Sequence, residues 1–100
     1  MINLTNAKKT FVSQLENKNQ FVIIYYDNNV EYCAFQSYST LICVYCPSTK
    51  EMLINWSMFD YSKTTSKHAK IFINNYTCYN WDNKQEFINL IRTHEKITLF

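Results

Sequence analysis

The sequence predicts an α+β fold in one domain spanning residues 1–100. Three observations carry this. Apolar runs broken by Asn, Asp, Ser and Pro fill residues 21–55; the apolar period then lengthens towards that of a helix over residues 63–94; and strand-like and helix-like stretches are segregated rather than alternating. The expected architecture is a four-stranded antiparallel meander with an N-terminal helix and two C-terminal helices.

Residues 6–17 read as the first helix. Ala7, Phe11 and Leu15 recur at every fourth position, Val12 widens the stripe, and Thr5 or Asn6 can cap the start. The first strand is residues 21–26, Phe-Val-Ile-Ile-Tyr-Tyr, followed by the turn residues Asp27, Asn28 and Asn29. The return strand spans about residues 30–37. A short turn near Ser37–Ser39 leads into a strand over residues 40–46. Pro47 to Lys50 form the next turn, and residues 51–55 the fourth strand. Ser62 then caps a helix over residues 63–76, with Thr65, Ala69, Phe72, Ile73 and Tyr76 inward and Lys63, Lys67, Lys70 and Asn74 outward. Asp82, with Gln85 as its capping-box partner, opens a last helix whose apolar face holds Phe87, Ile88, Leu90, Ile91 and His94. Residues 97–100 suit a short tail strand.

The first strand is apolar on both faces: Phe21, Ile23 and Tyr25 point one way, Val22, Ile24 and Tyr26 the other. Helices can cover one face. The other is then buried, exposed, or covered by a second chain, which makes a homodimer through an exposed sheet face one option.

Composition narrows the function. The chain has no glycine, which excludes a phosphate-wrapping P-loop and a dinucleotide-binding turn. Its turns must use Asn and Asp, the next best residues at positive φ, and twelve Asn are present. Eight Tyr, seven Phe and two Trp exceed what a small core needs, so some rings are expected at a partner surface. A net charge of +2 argues against an acidic DNA mimic. Residues with AT-rich codons (Phe, Tyr, Met, Ile, Asn, Lys) make up 49 of the 100, which indicates an AT-rich genome. With no signal peptide or membrane span in the sequence, the expected setting is the cytoplasm, with four reduced cysteines.

Cys43 and Cys46 form a CxxC without a second pair, and on a strand residues three apart face opposite ways, so structural thiols are expected rather than a metal site. His68 and His94 could serve a Cys–His dyad only on paper, since nothing local supports one, and Asp60 and Glu51 lack an acid–base context. The chain is therefore expected to be no enzyme and to need no cofactor or metal. The hydroxyl-rich stretch Tyr61 to His68, with its lysines at the start of a helix, reads first as an N-cap with a solvated face. Its functional reading is an anion site, with Lys63, Lys67 and Lys70 along one helix face against phosphates.

Ser37-Tyr38-Ser39-Thr40-Leu41-Ile42, Trp56, the run Tyr61-Ser62-Lys63-Thr64-Thr65-Ser66-Lys67-His68, and Phe72-Ile73 together resemble an uncharacterised family of small proteins, without a settled activity, from phages and conjugative elements of low-GC bacteria. The resemblance covers about residues 31–75. It implies a mobile-element origin and, since small phage proteins often block host systems by binding, an inhibitor of a bacterial defence factor that works in the anti-CRISPR manner by steric block of a nuclease effector. The expected partner is a host protein or ribonucleoprotein in the bacterial cytoplasm. The candidate contacts are Tyr38, Trp56, Phe59, Tyr61, Lys63, Lys67 and Lys70. The alternative is a small nucleic-acid-binding regulatory protein using the lysine-bearing helix.

Overall fold

Turn chemistry sets the frame of the sheet. In the computed structural model, which describes residues 2–15, 17–59 and 62–100, Asn28 and Asn29 both sit at positive φ, 50° and 69°. A two-residue hairpin turn that matches strand twist needs this at both central positions, and Asn tolerates it best after glycine. It joins β2 (Asn17–Asp27) to β3 (Val30–Ser37) in unbroken register from Gln20↔Ser37 to Asp27↔Val30. The next two sites of positive φ fall on Tyr38 (54°) and Lys50 (65°), so the glycine-free chain also forces bulky side chains into the left-handed region. Tyr38 lies at the turn into β4 (Thr40–Tyr45), and Lys50 lies between β4 and β5 (Met52–Ile54).

These four strands are the expected meander, but among the described residues the sheet has six strands, in the order β1-β2-β3-β4-β5-β6. The expected N-terminal helix is instead β1 (Lys8–Leu15), antiparallel to β2. The helical stripe was coincidental. Leu15 is buried, but Phe11, the stripe's centre, is 58% exposed, and Val12 beside it is 48% exposed. The β2 strand is long and apolar on both sides, and pairing its free edge outweighs a weak local helix preference. The register of β1 shifts between Lys9 and Phe11, which leaves Thr10 as a bulge. At the far edge, β6 (Ile97–Leu99) adds parallel to β5, with Met52↔Ile97 and Ile54↔Leu99, after a crossover through the helices.

Among the described residues three helices follow β5. The one-turn α1 (Trp56–Phe59) was not anticipated. The second, α2 (Lys63–Tyr76), matches its expected span, and Ser62 caps it by accepting from the Thr65 N–H at 3.1 Å. Its buried face is Thr65, His68, Ala69, Phe72 and Ile73; Tyr76 is exposed, though its ring stacks on Phe72 at 5.4 Å. The third, α3 (Lys84–Thr93), starts one residue later than expected. Asn83, not Asp82, accepts from the Glu86 N–H at 3.0 Å, and the Glu86 carboxylate returns to the Asp82 N–H at 2.7 Å. Gln85, expected in the capping box, donates to Asn89 instead.

Row by row, the sheet separates two cores. Ile24, Cys33, Tyr45, Met52 and Ile97 align across five strands on the face that receives Ala69, Phe72 and Ile73 of α2 and Phe87 of α3. On the opposite face Tyr32, Ala34, Val44 and Cys46 pack with Ile2 and Leu4. The chain's own N-terminal segment therefore covers part of the face that had been left open for a second chain. A bulge between Phe35 and Gln36 lets adjacent residues Ile42 and Cys43 both join the helix-side core.

Candidate functional site

The site builds from the spacing of lysines on α2. Positions 63, 67 and 70 recur at four and three residues, so their side chains share one helix face opposite the buried Ala69 and Phe72. That face meets the segment leading into α3. Lys70 Nζ donates to the Asp82 carbonyl at 3.1 Å and ties the two together. On the other side, Ser66 Oγ donates to the Phe59 carbonyl at 2.7 Å and holds α2 against α1.

Between these elements lies a groove of about 560 Å³. Lys63, Lys67 and Lys70 of α2 and Lys84 at the start of α3 supply four ammonium groups, and Asp82 a carboxylate, among the described lining residues. Ser62, Ser66 and Asn83 add neutral polar groups, and Phe59, Trp81 and Phe87 form the floor. Those rings are stacked, Trp81 on Phe87 at 3.9 Å and Phe59 on Phe87 at 4.9 Å, which makes the floor rigid. Lys63 and Lys67 make no hydrogen bond or ion pair among the described residues, so their charge is available to a ligand.

The groove thus brings together Lys63, Lys67, Lys70 and Phe59 from the expected contacts. Phe59 enters differently from the expectation: at 4% exposed it is a core ring below the groove and not a surface anchor. Tyr38 is 65% exposed at the β3–β4 turn and does not line the groove. Trp56 is half-buried, stacks on Phe59 at 5.6 Å, and lines a second, apolar groove of about 230 Å³ with Ile88, Ile91, Arg92 and Leu99. Tyr61 lies outside the described residues. Sequence reasoning missed Trp81, Asp82, Asn83 and Lys84. The Asn83–Glu86 spacing was the one available sign that this segment is fixed at a helix start.

The cysteines take separate places. Cys43 lies in the helix-side core and Cys46 in the opposite one, so the CxxC sulfurs diverge across the sheet. Burial pushes the Cys43 thiol well up, and burial with the nearby Glu31 charge pushes Cys33 up to about 12. Both stay protonated at neutral pH, unsuited to nucleophilic attack. For Cys46 burial also raises the thiol, but hydrogen bonds from Ser48 and Thr49 outweigh it and leave it lowered. His68 is buried in α2 with Nδ1 2.8 Å from the Thr64 carbonyl. Among the described residues no three His, Cys, Asp or Glu side chains gather as a metal site would require, and no helix is long and apolar enough to cross a membrane.

A family of unknown function (DUF8033) matches residues 3–89, and the chain belongs to that family. The match extends well beyond the stretch of residues 31–75 that carried the resemblance above, and agrees with it in being a family without an assigned activity. No curated protein and no solved structure matches the chain.

Proposed function

Membership of that family carries no activity with it, and from the groove itself we propose that this chain is a non-catalytic protein that binds nucleic acid through its phosphate backbone. The observation that carries the reading is the convergence of Lys63, Lys67, Lys70 and Lys84, from two helices, on one concave surface. Lys63 to Lys70 spans seven residues, about 10 Å along a helix axis. Backbone phosphates recur about every 3.4 Å of axis per strand in a duplex and further apart in a stretched strand, so two to three phosphates fall alongside the lysines. The concavity matters as well. A duplex is read by a convex element entering its groove, whereas a concave, lysine-lined groove that tracks the backbone suits a single strand.

Binding of a fluorescein-labelled 12-nucleotide single strand, followed by anisotropy across salt concentrations, tests this. Three to four phosphate contacts give a slope of log K against log salt of roughly −2 to −3 for a single strand. The double substitution Lys63→Gln and Lys67→Gln should flatten that slope by about 1.4. No retention at low salt, or a slope that ignores the substitutions, refutes the reading.

The biological role we attach to it is the one implied by the resemblance: a phage or mobile-element protein that occupies the nucleic-acid path of a bacterial defence nuclease. The apolar groove at Trp56 supports a protein contact alongside the lysine groove. The expected result is restored phage or plasmid transfer into cells carrying a nuclease-based defence when the chain is expressed there. Undiminished defence against every such system tested would remove this role while leaving the binding reading intact.

A further inference from the structure

The two walls of the lysine groove differ in a way that bears on which nucleic acid it takes. The α2 wall offers Lys63, Lys67 and Lys70, whereas the segment before α3 contributes Asp82, a carboxylate that a polyanion should avoid. Asp82 is held firmly: its N–H donates to Glu86 Oε2 at 2.7 Å and its carbonyl accepts from Lys70 Nζ at 3.1 Å. Its carboxylate makes no ion pair or hydrogen bond among the described residues, despite four lysines lining the same groove. A ligand that suits both walls carries phosphates and, close to them, a hydrogen-bond donor.

We propose that the groove takes a single strand of RNA, with the Asp82 carboxylate accepting a hydrogen bond from a ribose 2′-hydroxyl while the lysines hold the adjoining phosphates. The inference rests on the backbone-binding reading above and adds the sugar. Proximity selects the ribose over the base. The Asp82 carbonyl touches Lys70 Nζ directly, so the carboxylate lies within one side chain's reach of a phosphate-holding ammonium. Sugar hydroxyls lie that close to a backbone phosphate, and base edges do not. The 2′-hydroxyl is also the group by which proteins distinguish RNA from DNA.

The sign of one substitution tests this. Electrostatics alone predicts that Asp82→Ala, which removes a negative charge from beside phosphates, tightens binding of any strand. A hydrogen bond to the 2′-hydroxyl predicts the opposite for RNA alone. Anisotropy should be measured with labelled 12-nucleotide RNA and DNA of matched sequence, on the full wild-type chain and on Asp82→Ala. Expected is RNA bound at least fivefold more tightly than DNA by the wild type. Asp82→Ala should lose about tenfold on RNA, while DNA binding holds or improves by two- to threefold and shows that the variant is folded. Tighter binding of both strands, or equal wild-type affinity for RNA and DNA, overturns the proposal. An equal loss on both strands assigns the contact to the bases and overturns it too. Binding of neither strand by the wild type is the separate failure of the backbone-binding reading.

Discussion

The lysine groove and the groove beside Trp56 share one cluster of rings and almost nothing else. Trp56, Phe59, Phe87 and Trp81 stack in sequence at 5.6, 4.9 and 3.9 Å. Above the buried rings Trp81, Phe59 and Phe87 the rim is lysine, serine, asparagine and aspartate; around the half-buried Trp56 it is Ile88, Ile91, Leu99 and Arg92. Helix α3 serves both, Lys84 and Phe87 facing one groove and Ile88, Ile91 and Arg92 the other. The floor is therefore a support common to the two surfaces, and what distinguishes them chemically is their rims. Rings such as Phe59 and Phe87 lie buried in this cluster, where they hold the helices together.

The comparison can be broken most severely at the shared floor. Phe87 is 1% exposed, stacks on Phe59 and Trp81, and packs tilted against Trp56. Phe87→Ala should cost about 3–5 kcal/mol of stability, the range for emptying a large core site. Urea unfolding followed by Trp fluorescence measures this, and both grooves should lose their shape together. A loss under about 1 kcal/mol would mean that the rings do not form a common support. A smaller change sharpens the contrast. Trp56→Ala removes a half-buried ring at the edge of the cluster and should cost roughly 1–2 kcal/mol. Oligonucleotide affinity should stay within about twofold of wild type, near the measurement limit for a site beyond the substitution. A tenfold fall would show that the two surfaces act as one.

What could be read in the sequence follows the range of the forces involved. The hairpins of β2 to β5 and the whole of α2 were legible because each carries its own local signal: a turn of Asn and Asp, a proline, a serine cap, a period of two or 3.6. The β1 strand was not legible. Ala7, Phe11 and Leu15 satisfy a helix template, and only the free edge of β2, apparent once the hairpin exists, decides for a strand. The same limit applied to the groove. Three lysines spaced by four and three residues on one helix belong to local periodicity, and they were found. Asp82 and Lys84 meet them through a contact of Lys70 with Asp82, twelve residues along the chain, which no local pattern encodes. The one-residue error in the cap of α3 has a third origin. Asp82 and Asn83 are both good caps, and the choice fell to the residue whose third neighbour, Glu86, can bond back towards the start of the helix.

The outer side of β1 has a consequence for how the protein behaves when crowded. A strand with one side unpaired is a template on which further strands can add, and Phe11 and Val12 would reward such growth with apolar contact. The same strand begins with Lys8 and Lys9, and the bulge at Thr10 bends it just beyond them. A newcomer extending across this boundary would have to bury two ammonium groups and follow a kink, which works against strand addition at this edge.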